Sequence, residues 1–349
     1  MNKIQMVIKR VYENHHPRLS DIEFLLGLKD YDDIASILDF ADNVRRQYCG
    51  DGVIVRAIVE FSSFCRNTCM YCGLNRNNTF LKRYRLSEEE ILKAIKVIYD
   101  TNIKTVVLQS GEDEHLDPIW FANVISRIKN SFDIAITLSV GQRTADEYRL
   151  WKNAGADRYL LKIETSNKAL YNSLHPEMSF DERVYCSRIL GSIGYQNGSG
   201  CLIGLKNQTT AMLAEDVLFF KRENFDMIGI GLFIPHEHTP LGKEPLGDLK
   251  MTLKTLALTR IVTKNTHLPA TTSIGCLEGD LKALQAGANV IMFNFTPKKY
   301  QQLYQIYPDK NSLVQKPNYL SCFESNINKT GRWLDYSTGD SLKQKYICM

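Results

Sequence analysis

Beyond residue 50 the chain alternates short β-rich runs with longer amphipathic ones eight times, and no hairpin signal interrupts the alternation. The β runs cover 53–62, 104–110, 133–140, 158–165, 198–205, 227–235, 268–273 and 290–294. Helical periods fill the gaps at 87–100, 117–130, 144–154, 180–193, 209–223, 250–264, 277–286 and 297–306. Strands separated by helices run parallel with right-handed crossovers. Eight such units are the number that closes a (β/α)8 barrel of the TIM type, and a six-unit open barrel is the nearest rival. The predicted class is therefore α/β. The barrel spans 51–308, a helical extension precedes it at 1–50, and a polar tail at 309–349 wraps it without forming a domain. In the extension, Ser20-Asp21 stands where it could cap the run IEFLLGL, and Ile34, Ile37, Leu38 and Ala41 repeat with a helical period.

Composition narrows the function classes. With 349 residues, 44% of them hydrophobic, the chain has enough apolar surface for a large core, and its net charge of +4 implies no strongly acidic partner. The densest basic run, Lys82-Arg83-Tyr84-Arg85, reads as a solvated approach to the next helix, so no nucleic acid is expected. The start, MNKIQMVIKRVYENHH, lacks the apolar core of a signal peptide, and no span approaches membrane length. The expectation is a cytoplasmic protein with no membrane contact. Its nine cysteines are odd in number and mostly isolated in apolar segments, which argues against a disulfide framework.

The strands carry a second signal. A barrel interior made only for packing should be filled by branched apolar side chains. Here Arg56 shares a strand face with Glu60, Thr137 with Ser139, and Arg158 with Lys162 and Glu164. Buried charges are costly unless they pair or bind something. The readings are internal ion pairing or a polar cavity for a small charged substrate.

Only Cys65, Cys69 and Cys72 are clustered, directly after the first strand, at the end where barrel active sites sit. A closed zinc site needs a fourth ligand, and no second pair follows at a zinc-finger offset. The compact pair His236-Glu237-His238 lies far away in the loop after strand six. A [4Fe–4S] cluster solves the arithmetic differently: three thiolates bind three irons, and the fourth iron takes a non-protein ligand. S-adenosylmethionine supplies one through its amino and carboxylate groups. C-x3-C-x2-C with an aromatic residue before the last Cys is the radical S-adenosylmethionine signature. Further candidates for holding that cofactor stand at the ends of later strands. Ser110, Gly111 and Glu112 follow strand two, Glu164 could accept from its hydroxyl or ammonium groups, and Arg183 could pair with its carboxylate. Tyr71 is placed to pack against adenine, and Gly198 and Gly200 permit close backbone approach.

With these residues in hand, the chain resembles the [FeFe]-hydrogenase maturase branch of the radical S-adenosylmethionine superfamily, and more distantly biotin synthase and methylornithine synthase. The resemblance runs from about residue 50 to 310, through RAIVEFSSFCRNTCMYCGLNRNN, VVLQSGED, AGADRYLL, NFDMIGIGLFIPHEHTPL, LPATTS and AGANVIMFNFTP. It implies a part in assembling the hydrogenase's two-iron unit from a cysteine-derived or iron-bound substrate. It also implies companion maturases and a reductant such as ferredoxin or flavodoxin. The family's cavity positions fall on Arg56, Gln109, Thr137, Arg158, Thr271, Thr272, Met292 and Tyr304. Two departures stand out. Lys162-Ile163-Glu164-Thr165 replaces the usual Arg-His-Glu-Thr, and only Cys322 stands where some members hold a second cluster through three cysteines, so no second cluster is expected. An amino-acid mutase of the methylornithine synthase type, or a paralogue with another small substrate, is the alternative.

Overall fold

The computed structural model describes residues 2–275, 279–308, 310 and 319–343, with backbone alone at 319–322. Its centre is a parallel sheet. Strands β1 (Gly52–Ser62), β2 (Thr105–Ser110), β3 (Ala135–Ser139), β4 (Arg158–Leu160), β5 (Gln196–Ile203), β6 (Met227–Leu232) and β7 (Val290–Asn294) stand in the order β6-β5-β4-β3-β2-β1-β7. A short β8 (Trp333–Asp335) adds in parallel to the start of β1 at Gly52–Ile54. The sheet is curled, so the carboxyl ends of the strands share one rim.

The strand expected at 268–273 is reduced to two bridges, His267 with Met227 of β6 and Pro269 with Val290 of β7. Pro269 has no N–H to give a ladder, and the chain turns at once into the short helix Thr272–Gly275. This segment still joins β6 to β7, with Ile228 N donating to His267 O and Ala270 N to Val290 O, each at 2.9 Å. β4 holds three residues where eight were expected, because the chain leaves the extended conformation and Glu164 adopts a left-handed φ of 62°. The expected helix at 297–306 shrinks to Lys298–Gln301, and that at 277–286 to Asp280–Gln285, residues 276–278 lying outside the described residues.

Local signals set several helix starts correctly. Ser87 with Glu90 and Thr144 with Glu147 form reciprocal capping boxes, and Asp117 caps a helix that opens on Pro118. Ser20-Asp21 is no cap: the helix begins at Leu19, and Asp21 accepts instead from Arg10 Nε at 2.7 Å. Period-two alternation assigns the faces of β1. Val53, Val55, Ala57 and Val59 join the core between sheet and helices, while Arg56, Ile58 and Glu60 point into the barrel. The N-terminal helices dock outside, Tyr31–Cys49 against Leu249–Thr263 and Leu19–Leu26 against Thr210–Glu223.

Candidate active site

Past Ser62 the chain runs as an irregular loop through 63–86 that carries the three cysteines, all partly buried. The loop is tied down along its length. Arg66 N donates to Glu112 O at 2.9 Å, Met70 N to Leu174 O at 3.0 Å and Gly73 N to Ile306 O at 3.0 Å. Arg83 donates to the carbonyls of Ser63, Leu74 and Asn75 at 2.6–2.8 Å, satisfying groups that have no ladder partner. Two glycines allow the loop to approach its neighbours. A Cβ on Gly73 would run into the Gln305 carbonyl and the His236 ring, and one on Gly111 into the Phe64 carbonyl and Cys65.

Cys69, Tyr71 and Cys72 open onto a cavity of about 290 Å³ at the carboxyl end of the barrel. Burial, and then the neighbouring thiols, push Cys69 well above the ordinary thiol range; burial and Cys65 push Cys72 up to about 12. As bare groups the thiols stay protonated, and an iron cluster would supply the positive charge needed to hold them as thiolates. Among the described residues, no three His, Cys, Asp or Glu side chains gather tightly enough to hold a single metal ion. A cubane instead spreads its ligands over separate irons, so three clustered thiols, two of them facing the cavity, fit it.

The rest of the lining mixes apolar and polar side chains. Ile58, Leu160, Met227, Pro269 and Met292 meet Gln109, Ser139, Thr271, Thr272, Lys162, Glu164 and Lys310. Lys162 Nζ lies 2.9 Å from Glu164, and Lys310 pairs with Glu60, which also accepts from Asn294 Nδ2 at 3.0 Å. Burial lowers the Lys310 ammonium to about 7. Thr272 Oγ1 and Tyr307 OH stand 2.7 Å apart, and Thr271 donates to Ile230 O at 3.0 Å. Sequence reasoning did not single out Lys310 or Tyr307, because they belong to a stretch whose pattern carries no period.

The other predicted cofactor residues stand behind this wall. Glu112 accepts from Arg66 Nε and Nη2 at 3.0 and 2.8 Å and from Gln142 N at 2.7 Å, bracing the cysteine loop against the loop after β3. Despite its burial, Arg183, Gln142 and Arg66 hold its carboxyl below the usual range. Arg183 is buried 3.8 Å from Glu112, and its Nε donates to Tyr171 OH at 3.3 Å. Ser110 Oγ donates to Gly111 O at 2.6 Å, and Gly200 lies opposite Gly229 beside the Lys162 side chain. Tyr304 accepts from Gln109 Nε2 at 3.2 Å behind the lining. His175, which no periodicity flagged, sits at the end of the unexpected helix Lys168–Leu174, with Nε2 2.9 Å from Tyr71 OH.

Arg56, Thr137 and Arg158 are not brought to the cavity wall. Arg56 and Arg158 line a cleft of only about 10 Å³ at the opposite, amino end of the barrel, and Thr137 is buried next to Arg158 across β3 and β4. The tail closes that end. Arg158 donates to Thr338 O at 2.8 Å and Asp340 at 2.7 Å, and Arg56 to Gly339 O at 3.1 Å. His267 Nε2 donates to Asp340 O at 2.8 Å.

A cysteine loop after β1, opening on a barrel cavity, defines a class, and comparison with known proteins agrees. Residues 59–220 match the Radical SAM superfamily. The chain resembles the solved structure of a methylornithine synthase with a TM-score of 0.85 at 25% identity, over 94% of this chain and 97% of that one. The 3-methylornithine synthase of Methanosarcina acetivorans is 27% identical, over 81% of each chain. The [FeFe] hydrogenase maturase subunit HydE of Thermotoga maritima is 44% identical over 310 residues, 88% of this chain and 89% of that protein. The protein is thus a radical SAM enzyme. Within that class, it belongs to the HydE family of hydrogenase maturases.

Proposed function

We propose that this chain acts in [FeFe]-hydrogenase maturation on a small cysteine-derived, iron-bearing substrate held in the barrel cavity. The observation that carries this reading is the single 290 Å³ cavity shared by two of the three clustered cysteines and the polar residues Gln109, Thr271 and Thr272. Cys65, Cys69 and Cys72 would hold a [4Fe–4S] cluster whose open iron receives S-adenosylmethionine. A cluster held there would supply the one-electron reduction by which S-adenosylmethionine is cleaved at its carbon–sulfur bond.

The chain's own residues confine this chemistry. Tyr71 and Leu202 wall the cofactor side, and Glu164, fixed by its left-handed backbone and by Lys162, offers carboxylate oxygens to cofactor hydroxyls. Ser110, Gly111, Glu112, Arg183 and Gly200 support that side from behind. Gln109, Thr271, Thr272 and Met292 contact substrate, with Tyr304 holding Gln109; Arg56, Thr137 and Arg158 set the field beneath them. Lys162 and Lys310, each beside a carboxylate, suit a substrate carrying both signs of charge. A low-potential ferredoxin or flavodoxin supplies electrons, companion maturases supply and receive the small molecule, and the chain works in the cytoplasm. No helix among the described residues is long and apolar enough to cross a membrane. We assign one cluster alone; Cys276 and Cys348 lie outside the described residues, and Cys322 is described by its backbone only.

The match to methylornithine synthase along nearly the whole chain favours a second reading, rearrangement of a free amino acid in the same cavity. Incubating the reconstituted, reduced protein with each candidate substrate separates the two. The maturase reading expects 5′-deoxyadenosine formation to rise with a cysteine-bound iron complex. A rise with a free diamino acid alone contradicts it.

A further inference from the structure

We propose that His175 is a positioning residue for cofactor binding, latching the Tyr71 ring against the cavity from outside the cysteine loop. The inference rests on the reading that this cavity takes S-adenosylmethionine, and adds a residue to it. Tyr71 lies between the second and third cysteines, and its ring is part of the cavity wall. Apart from its hydroxyl, the ring sits in an apolar nest with Leu170, Leu174, Leu205, Phe233 and Leu241, none of which can set its rotation by a directed bond.

Among the described residues the hydroxyl has one directed partner. His175 Nδ1 lies 2.9 Å from the Tyr171 carbonyl oxygen, which only accepts, so Nδ1 carries the proton. In a neutral ring Nε2 is then bare and accepts from Tyr71 OH at 2.9 Å. Burial, with Arg183 adding to it, keeps the imidazole neutral, lowering it to about 4, although the Tyr171 carbonyl opposes this. The imidazole is itself fixed, stacked on Tyr171 at 4.2 Å between ring centres and edge-on to Tyr71 at 5.5 Å. A second bond, Met70 N to Leu174 O, ties the adjoining residue to the same helix end.

The helix capped by His175 follows the Glu164-bearing segment, so one short stretch, 164–175, lines the cavity at Glu164 and holds a second lining residue, Tyr71, through His175. Truncating either member of the latch leaves a buried polar atom unmatched. Tyr71 is then free to rotate away from the face it presents to the cofactor.

A double-mutant cycle on cofactor affinity tests the latch. Equilibrium binding of S-adenosylmethionine to the anaerobically reconstituted protein is measured, together with iron content and the electron-spin signal of the reduced cluster. Tyr71→Phe and His175→Phe should each weaken binding about tenfold at undiminished iron content. The double variant should lose no more than either single one. His175→Gln, whose side-chain oxygen can still accept from Tyr71, should bind within about twofold of the parent. Additive losses, or unchanged affinity in Tyr71→Phe, overturn the latch. Should His175→Phe fail to fold, Tyr71→Phe, which removes one hydroxyl, decides the matter alone. A parent protein that takes up iron but binds no S-adenosylmethionine overturns the cofactor reading itself. A parent that binds it while every variant binds equally well overturns only the latch.

Discussion

The two ends of this barrel bury charge alike and use it differently. At the amino end Arg56, Arg158 and His267 meet the tail at Thr338, Gly339 and Asp340, leaving a cleft of about 10 Å³. At the carboxyl end Lys162, Glu164 and Lys310, the last paired with Glu60 behind it, border 290 Å³ of space beside the cysteines. Buried charge costs free energy at both ends. At the base the chain's own carbonyls and one carboxylate offset it. At the top the charges pair yet still border a space large enough for a ligand. The difference shows that an inward polar side chain points to a binding site only where the chain leaves room in front of it.

The largest expected effect falls at the top. Cys69→Ala should abolish cluster uptake and cofactor cleavage, read by iron and sulfide analysis and by 5′-deoxyadenosine formation. Retained cleavage would remove the trio from the chemistry. Next comes acid, which reaches both ends through buried neutral histidines, His267 at the base and His175 at the top. Burial, joined by Arg56, lowers His267 to about 3, and burial lowers His175 to about 4. Between those values and about 6.5 the unfolded chain binds protons that the folded chain does not. Stability is therefore fully present above about pH 6.5 and is lost as pH falls. Each histidine contributes roughly 2 kcal/mol of loss between pH 7 and 5. Urea titrations across that range should show the slope for the parent, and His267→Gln should lower it by roughly one histidine's share. A slope unchanged by His267→Gln would show that this site does not disfavour the imidazolium.

A smaller effect is expected from the tail. Asp340→Asn removes the carboxylate that accepts from Arg158 and Gln196. The Asp340 side chain is 61% exposed, so solvent screens the ionic part and the loss should be about 1 kcal/mol. Cofactor affinity should not move; a fall in affinity with stability intact would make the base part of the site. The smallest effect belongs to Thr271→Val, which deletes one hydroxyl from the cavity wall. Substrate affinity should drop roughly fivefold with S-adenosylmethionine binding unchanged. Equal losses of both would move Thr271 to the cofactor side.

The same contrast explains what the sequence made legible. Alternation of strand and helix, the capping pairs at Ser87 and Thr144, and the spacing of Cys65, Cys69 and Cys72 are local patterns, and each reads directly from neighbouring residues. Inward parity was also legible, since it follows from the pleat at Arg56 and Glu60. Height along the barrel was not. Arg158 and Glu164 share a face in the sequence pattern, yet one meets the tail at the base and the other borders the cavity. What separates them is the closing of the base by residues almost two hundred positions away. Lys310 and His175 were invisible for a related reason: each works through a partner, Glu60 or Tyr71, far away in sequence.

The central claim is that the top of the barrel presents a three-cysteine cluster with one iron open to its cofactor. Anaerobic reconstitution followed by reduction with dithionite in the presence of S-adenosylmethionine tests it most directly. The account predicts one cubane per chain, a cluster signal that changes when the cofactor is added, and release of 5′-deoxyadenosine. A protein that takes up zinc instead of iron, or one fully loaded with iron that leaves S-adenosylmethionine intact, contradicts it.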